Sequence, residues 1–158
     1  MTTRILLLLG AVMVFGTVNW QIAGKERVRS SGQIVYLDLR PRDPRSLMQG
    51  DYMALNFALA QAIGGKVALD VDGPRIAVIR LDAHRVAEFL RVDDGAPLSP
   101  GEMRFRYRIR KGEVWLGTNA FFFQEGQEER YRNARYGEFR VSEDGEALLV
   151  DVVAQGTV

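Results

Sequence analysis

The sequence predicts an all-β domain, a small antiparallel barrel or sandwich, carried behind one N-terminal transmembrane helix. Three observations predict it. An uncharged apolar run occupies the N-terminus. Behind it, apolar and polar residues alternate at period two in several short segments. Hairpin signals such as Lys111-Gly112 and Asp144-Gly145 stand between them. Period-two alternation marks a half-buried strand, and short strands at close spacing suit a barrel or sandwich.

The first element is the apolar run. Ile5 to Gly24 contains no charged residue and includes Ile5, Leu6, Leu7, Leu8, Leu9, Val12 and Phe15. As a helix those 20 residues would reach about 30 Å, the thickness of a hydrocarbon core. Trp20 stands near the far end, where an indole suits the headgroup layer. A cleaved signal peptide is the competing reading, but residues 19–24 hold no clear small-x-small cleavage pattern. Residues 1–24 are therefore read as an anchor and 25–32 as a juxtamembrane linker or short helical extension. Residues 33–158 form the domain. Lys25, Arg27 and Arg29 outnumber Arg4, which on counting alone favours a cytoplasmic domain. The order of charge first and apolar run next is that of an export signal, and the expected placement is extracytoplasmic.

The strands follow in order. In 33–40, Val35, Leu37 and Leu39 alternate with Tyr36, Asp38 and Arg40. In 51–59, Met53, Leu55, Phe57 and Leu59 share one face. Strands are also expected over 75–82, 85–92, 102–110 and 114–116, and over 138–142 and 147–154 around the Asp-Gly turn. Helix signals are weaker: Ala58–Ile63 before Gly64-Gly65, and the polar stretch Glu125–Ala134.

Composition excludes several functions. Lys+Arg is 21 against Asp+Glu 20, so the cation surplus that a nucleic-acid binder needs is missing. With Cys at 0 and a single His, His84, thiolate chemistry and sites with two imidazoles are excluded. His84 lies in the polar Asp82-Ala83-His84-Arg85, which reads as a turn. No paired carboxylates are spaced for glycosidic chemistry, and Asp70 and Asp72 lack a complete calcium loop. No cofactor and no metal is expected. Arg104, Arg106, Arg108 and Arg110 fall on one face of their strand and read as its wet side, with anionic lipid or an acidic partner as the alternative.

Residues 41–52 read Pro-Arg-Asp-Pro-Arg-Ser-Leu-Met-Gln-Gly-Asp-Tyr. Pro41 and Pro44 bar a central strand, so the segment is a rigid irregular connection presenting Arg42, Asp43, Arg45 and Tyr52. Gly50 permits the bend into the next strand. Asp51 is expected to anchor the loop by accepting hydrogen bonds. Gly50-Asp51-Tyr52-Met53-Ala54-Leu55-Asn56-Phe57 resembles the defining motif of the GDYXXLXY family of bacterial membrane-anchored proteins, with Phe57 where the family has Tyr. The lead-in with Pro41, Arg42, Asp43, Pro44 and Arg45 resembles the family's proline-rich approach. Phe122-Phe123-Gln124-Glu125-Gly126 is similar to its aromatic-Glu-Gly segment, and Val141 to Ala147 to its late hairpin. The resemblance covers about residues 33–153. It implies a single N-terminal span, a β-rich domain, and the motif positions Tyr52, Leu55, Phe57, Phe123, Glu125 and Gly126 as its characteristic residues. It also implies placement in the bacterial inner membrane with the domain outside, beside a polytopic membrane protein partner. It brings no reaction mechanism.

The expected function is a non-catalytic accessory or interaction module that uses the lipid bilayer through its helix and works with an integral membrane partner. The alternative is a membrane-anchored hydrolase, loosely similar to signal peptidases. Ser46 would be its nucleophile and Lys66 or Lys111 its base.

Overall fold

The computed structural model describes residues 2–40, 52–124 and 126–154, the side chains of 2–8, Tyr52 and Glu128 excepted. Pro41, Arg42, Asp43, Pro44, Arg45, Ser46, Gly50, Asp51 and Glu125 thus lie outside the described residues, as do the side chains of Ile5, Leu6, Leu7, Leu8 and Tyr52.

Helix α1 runs without a break over Thr2–Ser31. Residues 25–31 are therefore helical, the second of the two forms expected for that stretch. Only the last turns meet the domain. Val28 is buried, Lys25 pairs with Glu146, and Arg140 Nη1 donates to Gly32 O at 3.2 Å. Further up, Val12, Phe15, Trp20 and Ile22 stand exposed, with Trp20 at 83%. Among the described residues, no helix is long and apolar enough to cross a membrane.

Strand β1 (Gln33–Asp38) continues directly from the helix. It pairs antiparallel with β8 (Tyr136–Val141), which pairs antiparallel with β9 (Ala147–Val153). A second sheet has the order β4-β3-β5-β6, from β3 (Gly73–Leu81), β4 (Ala87–Val92), β5 (Glu102–Arg110) and β6 (Glu113–Trp115). The sheets meet at two places. Tyr36 N donates to Arg85 O at 2.9 Å beside a parallel bridge from Tyr36 to Val86. Across the barrel, Arg106 N donates to Gly145 O at 2.8 Å, so the tip of the β8–β9 hairpin rests on β5. The result is mostly β, with antiparallel sheets that curve into a half-barrel.

The expected strand over 51–59 is corrected. The strand is β2 (Tyr52–Ala54) with one further bridge at Phe57, and the chain then enters helix α2 (Ala58–Gly64), in line with the helix signal at Ala58–Ile63. The physical reason is local. Ala58-Leu59-Ala60-Gln61-Ala62 consists of strong helix formers, and Leu59 and Ile63, four apart, share the buried side. The apolar face survives the change, since Met53, Leu55, Phe57 and Leu59 are all buried. The helix expected over Glu125–Ala134 is the single turn α3 (Glu128–Tyr131). One further strand, β7 (Ala120–Phe122), pairs with β2. Three successive aromatics carry no alternation, so periodicity could not isolate it. Tyr36, expected on the wet face, is 6% exposed. Tyr136 packs edge-on to its ring at 6.4 Å, and its hydroxyl lies 3.5 Å from the Glu138 carboxylate.

The core centres on Phe57, Phe105 and Phe139. Edge-to-face ring pairs join Phe139 to Phe57 at 5.4 Å and to Phe105 at 6.1 Å. The turns are specified by their own residues. Lys111 and Gly112 both adopt positive φ, the geometry of a two-residue hairpin turn, and the Asp72 carboxylate accepts from Lys111 N at 3.0 Å. Asp72 is thereby committed to a turn. Asp82 likewise accepts from His84 N and Val86 N at 2.8 Å, which leaves His84 in an exposed turn as expected.

The arginine stripe on β5 splits into unlike environments. Arg104 Nε donates to Asp93 at 2.8 Å, Arg106 meets Asp144 at 2.7 Å, and Arg110 lies over the Trp115 ring at 5.5 Å. The Arg104 bond holds the Asp93 carboxyl below its ordinary value of 3.8. The backbone N–H of Ser99, and then Arg91, do the same for Glu102, and the Ser142 hydroxyl, with Arg106, for Asp144. A depressed folded-state pKa contributes stability that is present above the unfolded value and lost as pH falls through the folded one. Urea midpoints are therefore expected to stay level above pH ~5 and to fall in the acid range. Arg104→Ala should flatten part of that fall. Identical acid profiles for the variant and its parent would refute the assignment.

Candidate functional site

The motif's second half can be followed residue by residue. Met53 and Leu55 are each 5% exposed and Phe57 is 2%. These are packing positions. The loss of the family's phenol at Phe57 costs no surface group, because the ring lies within the core against Phe139.

The structure brings two of the resembling segments together. β2 carries the motif and β7 the aromatic segment, with Tyr52 opposite Phe122 and Met53 opposite Phe121. Phe121 and Phe123 then clasp Tyr131, with ring centroids at 5.1 and 5.3 Å. Gly126 follows at φ +84°, a left-handed conformation that glycine adopts without strain. The third segment, the hairpin at 141–147, lies elsewhere, on β5 and α1.

Beside the motif lies a cleft of about 520 Å³. Three stretches wall it: Asp38 to Arg40 at the end of β1, Met53 to Asn56 of the motif, and Tyr131 to Tyr136 leading into β8. Backbone bonds fix these walls. Leu39 N donates to Arg135 O, Arg40 N to Asn56 O, and Leu55 N to Asn119 O, each at 2.8 Å. Phe57 adds an antiparallel bridge to Leu39.

The lining carries three guanidinium groups, Arg40, Arg132 and Arg135, two amides, Asn56 and Asn133, and one carboxylate, Asp38. Arg132 is drawn to Glu129 at 3.0 Å. Such a surface donates many hydrogen bonds and favours a polar, electronegative contact. Its lining holds, among the described residues, neither an imidazole nor a second carboxylate for proton transfer. Among the described residues, no cluster of His, Cys, Asp and Glu is placed to hold a metal ion. Of the expected motif residues the structure thus brings together Leu55, Phe57 and Phe123 around this region. Tyr131, Asn133 and Arg135 join it unannounced, because nothing in their mixed-charge stretch signals that β8 folds back beside β1.

The amines considered as catalytic bases lie apart. Lys66 leaves α2 exposed, its ammonium 5.4 Å from the Phe89 ring. Lys111 occupies the exposed β5–β6 turn.

Comparison with known proteins agrees with the motif. The family described as GDYXXLXY protein matches residues 14–152, which is most of the chain. No curated protein and no solved structure matches. With its motif strand paired to its aromatic strand in one half-barrel, the chain belongs to the GDYXXLXY protein family.

Proposed function

We propose that this protein is a membrane-anchored, extracytoplasmic interaction module of the bacterial inner membrane, working without catalysis beside an integral membrane partner. The observation that carries the reading is the uneven placement of apolar surface. Among the described residues, the β domain leaves few large apolar side chains exposed, namely Val71, Val92 and Phe122. Helix α1 exposes Leu9, Val12, Met13, Val14, Phe15, Val18, Trp20 and Ile22 in one stretch. Exposed apolar surface of that extent calls for a cover. Ile5–Leu8, whose side chains lie outside the described set, are the most apolar part of the run and extend it toward the length of a bilayer core.

The cleft at the motif supports the second half of the reading. It offers hydrogen-bond donors on a braced wall, and among the described residues its lining holds no acid–base pair. β1 leads from α1 to this cleft, and six extended residues reach about 20 Å. The partner contact then involves an extramembrane polar segment. The Ser46 hydrolase would need an amine sheltered from water. Lys66 and Lys111 are both exposed, which weighs against it.

Deletion of residues 1–24 tests the anchor. The full chain should stay with membranes through carbonate extraction. The truncated chain keeps Val28 and the β domain, and should be soluble with an unchanged β-type circular dichroism spectrum. Carbonate-resistant association of the truncated form would overturn the reading.

A further inference from the structure

We propose that the groove at the root of α1 binds the zwitterionic headgroup of a bilayer phospholipid, preferring one that carries a free ammonium. The proposal rests on the anchor reading and deepens it. The groove measures about 910 Å³. One wall is the helix from Gly24 to Ser31, and the other is formed by Leu98, Met103 and the hairpin tip at 142–146.

Its depth follows from the helix. The uncharged run ends at Gly24, and Lys25 is the first charged residue beyond it. The headgroup layer adds roughly 5–8 Å on each side of the hydrocarbon core, which is four or five helical residues. Residues 25–29 therefore fall within that layer. The Lys25–Glu146 pair holds the hairpin tip at the same level.

Its charges fit a dipolar ion. Eight charged groups gather here. Lys25 pairs with Glu146, Arg106 with Asp144, and Glu102 with Arg91. That leaves Arg27 and Glu143, which both line the groove and have no ion-pair partner among the described residues. One unpaired guanidinium suits the phosphate. One unpaired carboxylate suits an ammonium that can donate hydrogen bonds. Val28, Leu98 and Met103 supply an apolar wall for the glycerol end. A purely anionic headgroup would meet Glu143 with no compensating cation, so the acidic tip disfavours it.

The test uses the full chain and three probes: phosphatidylethanolamine, phosphatidylcholine and phosphatidylglycerol. Flotation with liposomes first establishes membrane residence. Lipid retention on the detergent-purified protein is then read by native mass spectrometry. Phosphatidylethanolamine should be retained about threefold better than the other two, the size that an exposed charge pair supports. Glu143→Gln should erase the preference over phosphatidylcholine. Arg27→Gln should weaken both. Both side chains are exposed, so both variants should melt like the parent. Flotation without headgroup preference, or a preference indifferent to both variants, would overturn the headgroup site and leave the anchor standing. Failure to float would remove the anchor and the site with it. A preference for phosphatidylglycerol that Arg27→Gln alone abolishes would identify an anionic-lipid contact and sink the proposal.

Discussion

Phe57→Ala is expected to destabilise the domain by roughly 3–5 kcal/mol, the range for a buried aromatic truncated in a core. That is a large share of the ~5–15 kcal/mol that holds a typical domain together. Phe57 earns the upper end of the scale through its position. It is 2% exposed, it packs edge-on to Phe139 at 5.4 Å, and it stands where the motif passes from bridge to helix. Its backbone O accepts from Ala60 N at 3.1 Å to start α2, and the residue also bridges to Leu39 at the cleft. Removing the ring opens a cavity under three elements that cannot all close on it. Phe57→Leu, which keeps most of the volume, should cost less than half as much. Urea denaturation of both variants measures this. A Phe57→Ala loss under ~1 kcal/mol would show that the ring fills no essential part of the core.

Several parts of this architecture were legible in the residues alone. The complete alternation at 102–110 gave the bounds of β5, because inward Phe105, Tyr107 and Ile109 leave no choice of face. Asp144-Gly145 gave the hairpin, since Gly145 takes φ +85° there. What could not be read is how distant segments meet. The apolar period at Met53, Leu55, Phe57 and Leu59 persists across a change from strand to helix. Burial alone fixes that period, and helix propensity decides where the strand stops. β7 carries three aromatics with no alternation, and its partner β2 is far away in sequence. The stretch 131–136 looks like solvated charge. It becomes a cleft wall only because Leu39 and Arg135 share a backbone bond. Tyr107 is a further case. Its strand position predicts burial, but nothing in the sequence tells that its hydroxyl is left without a hydrogen-bond partner among the described residues. That burial pushes the phenol's pKa up.

Gly137 carries the second large effect, and it too ends at Phe57. Gly137 sits inside β8, paired to Leu37 on one side and Val152 on the other. Glycine weakens a strand and so marks a close approach. Here the approach is by side chains. A Cβ at Gly137 would stand 2.9 Å from Phe57 Cε1, 3.1 Å from Phe139 Cε2 and 3.2 Å from Leu149 Cδ1. Two of these neighbours are buried rings locked against each other, so they cannot swing aside as a surface side chain would. Gly137→Ala should therefore destabilise by about 1–3 kcal/mol through overpacking, although alanine is otherwise the better strand residue, and Gly137→Val should cost more. The cause can be isolated with a double-mutant cycle. Phe57→Leu removes the ring atom nearest the new methyl. Combined with Gly137→Ala, it should cost less than the sum of the two single changes, by ~0.5 kcal/mol or more, with the residue set by Phe139 and Leu149. Strict additivity would mean that the methyl is accommodated without touching Phe57. The glycine would then have to be explained by the β8 backbone itself.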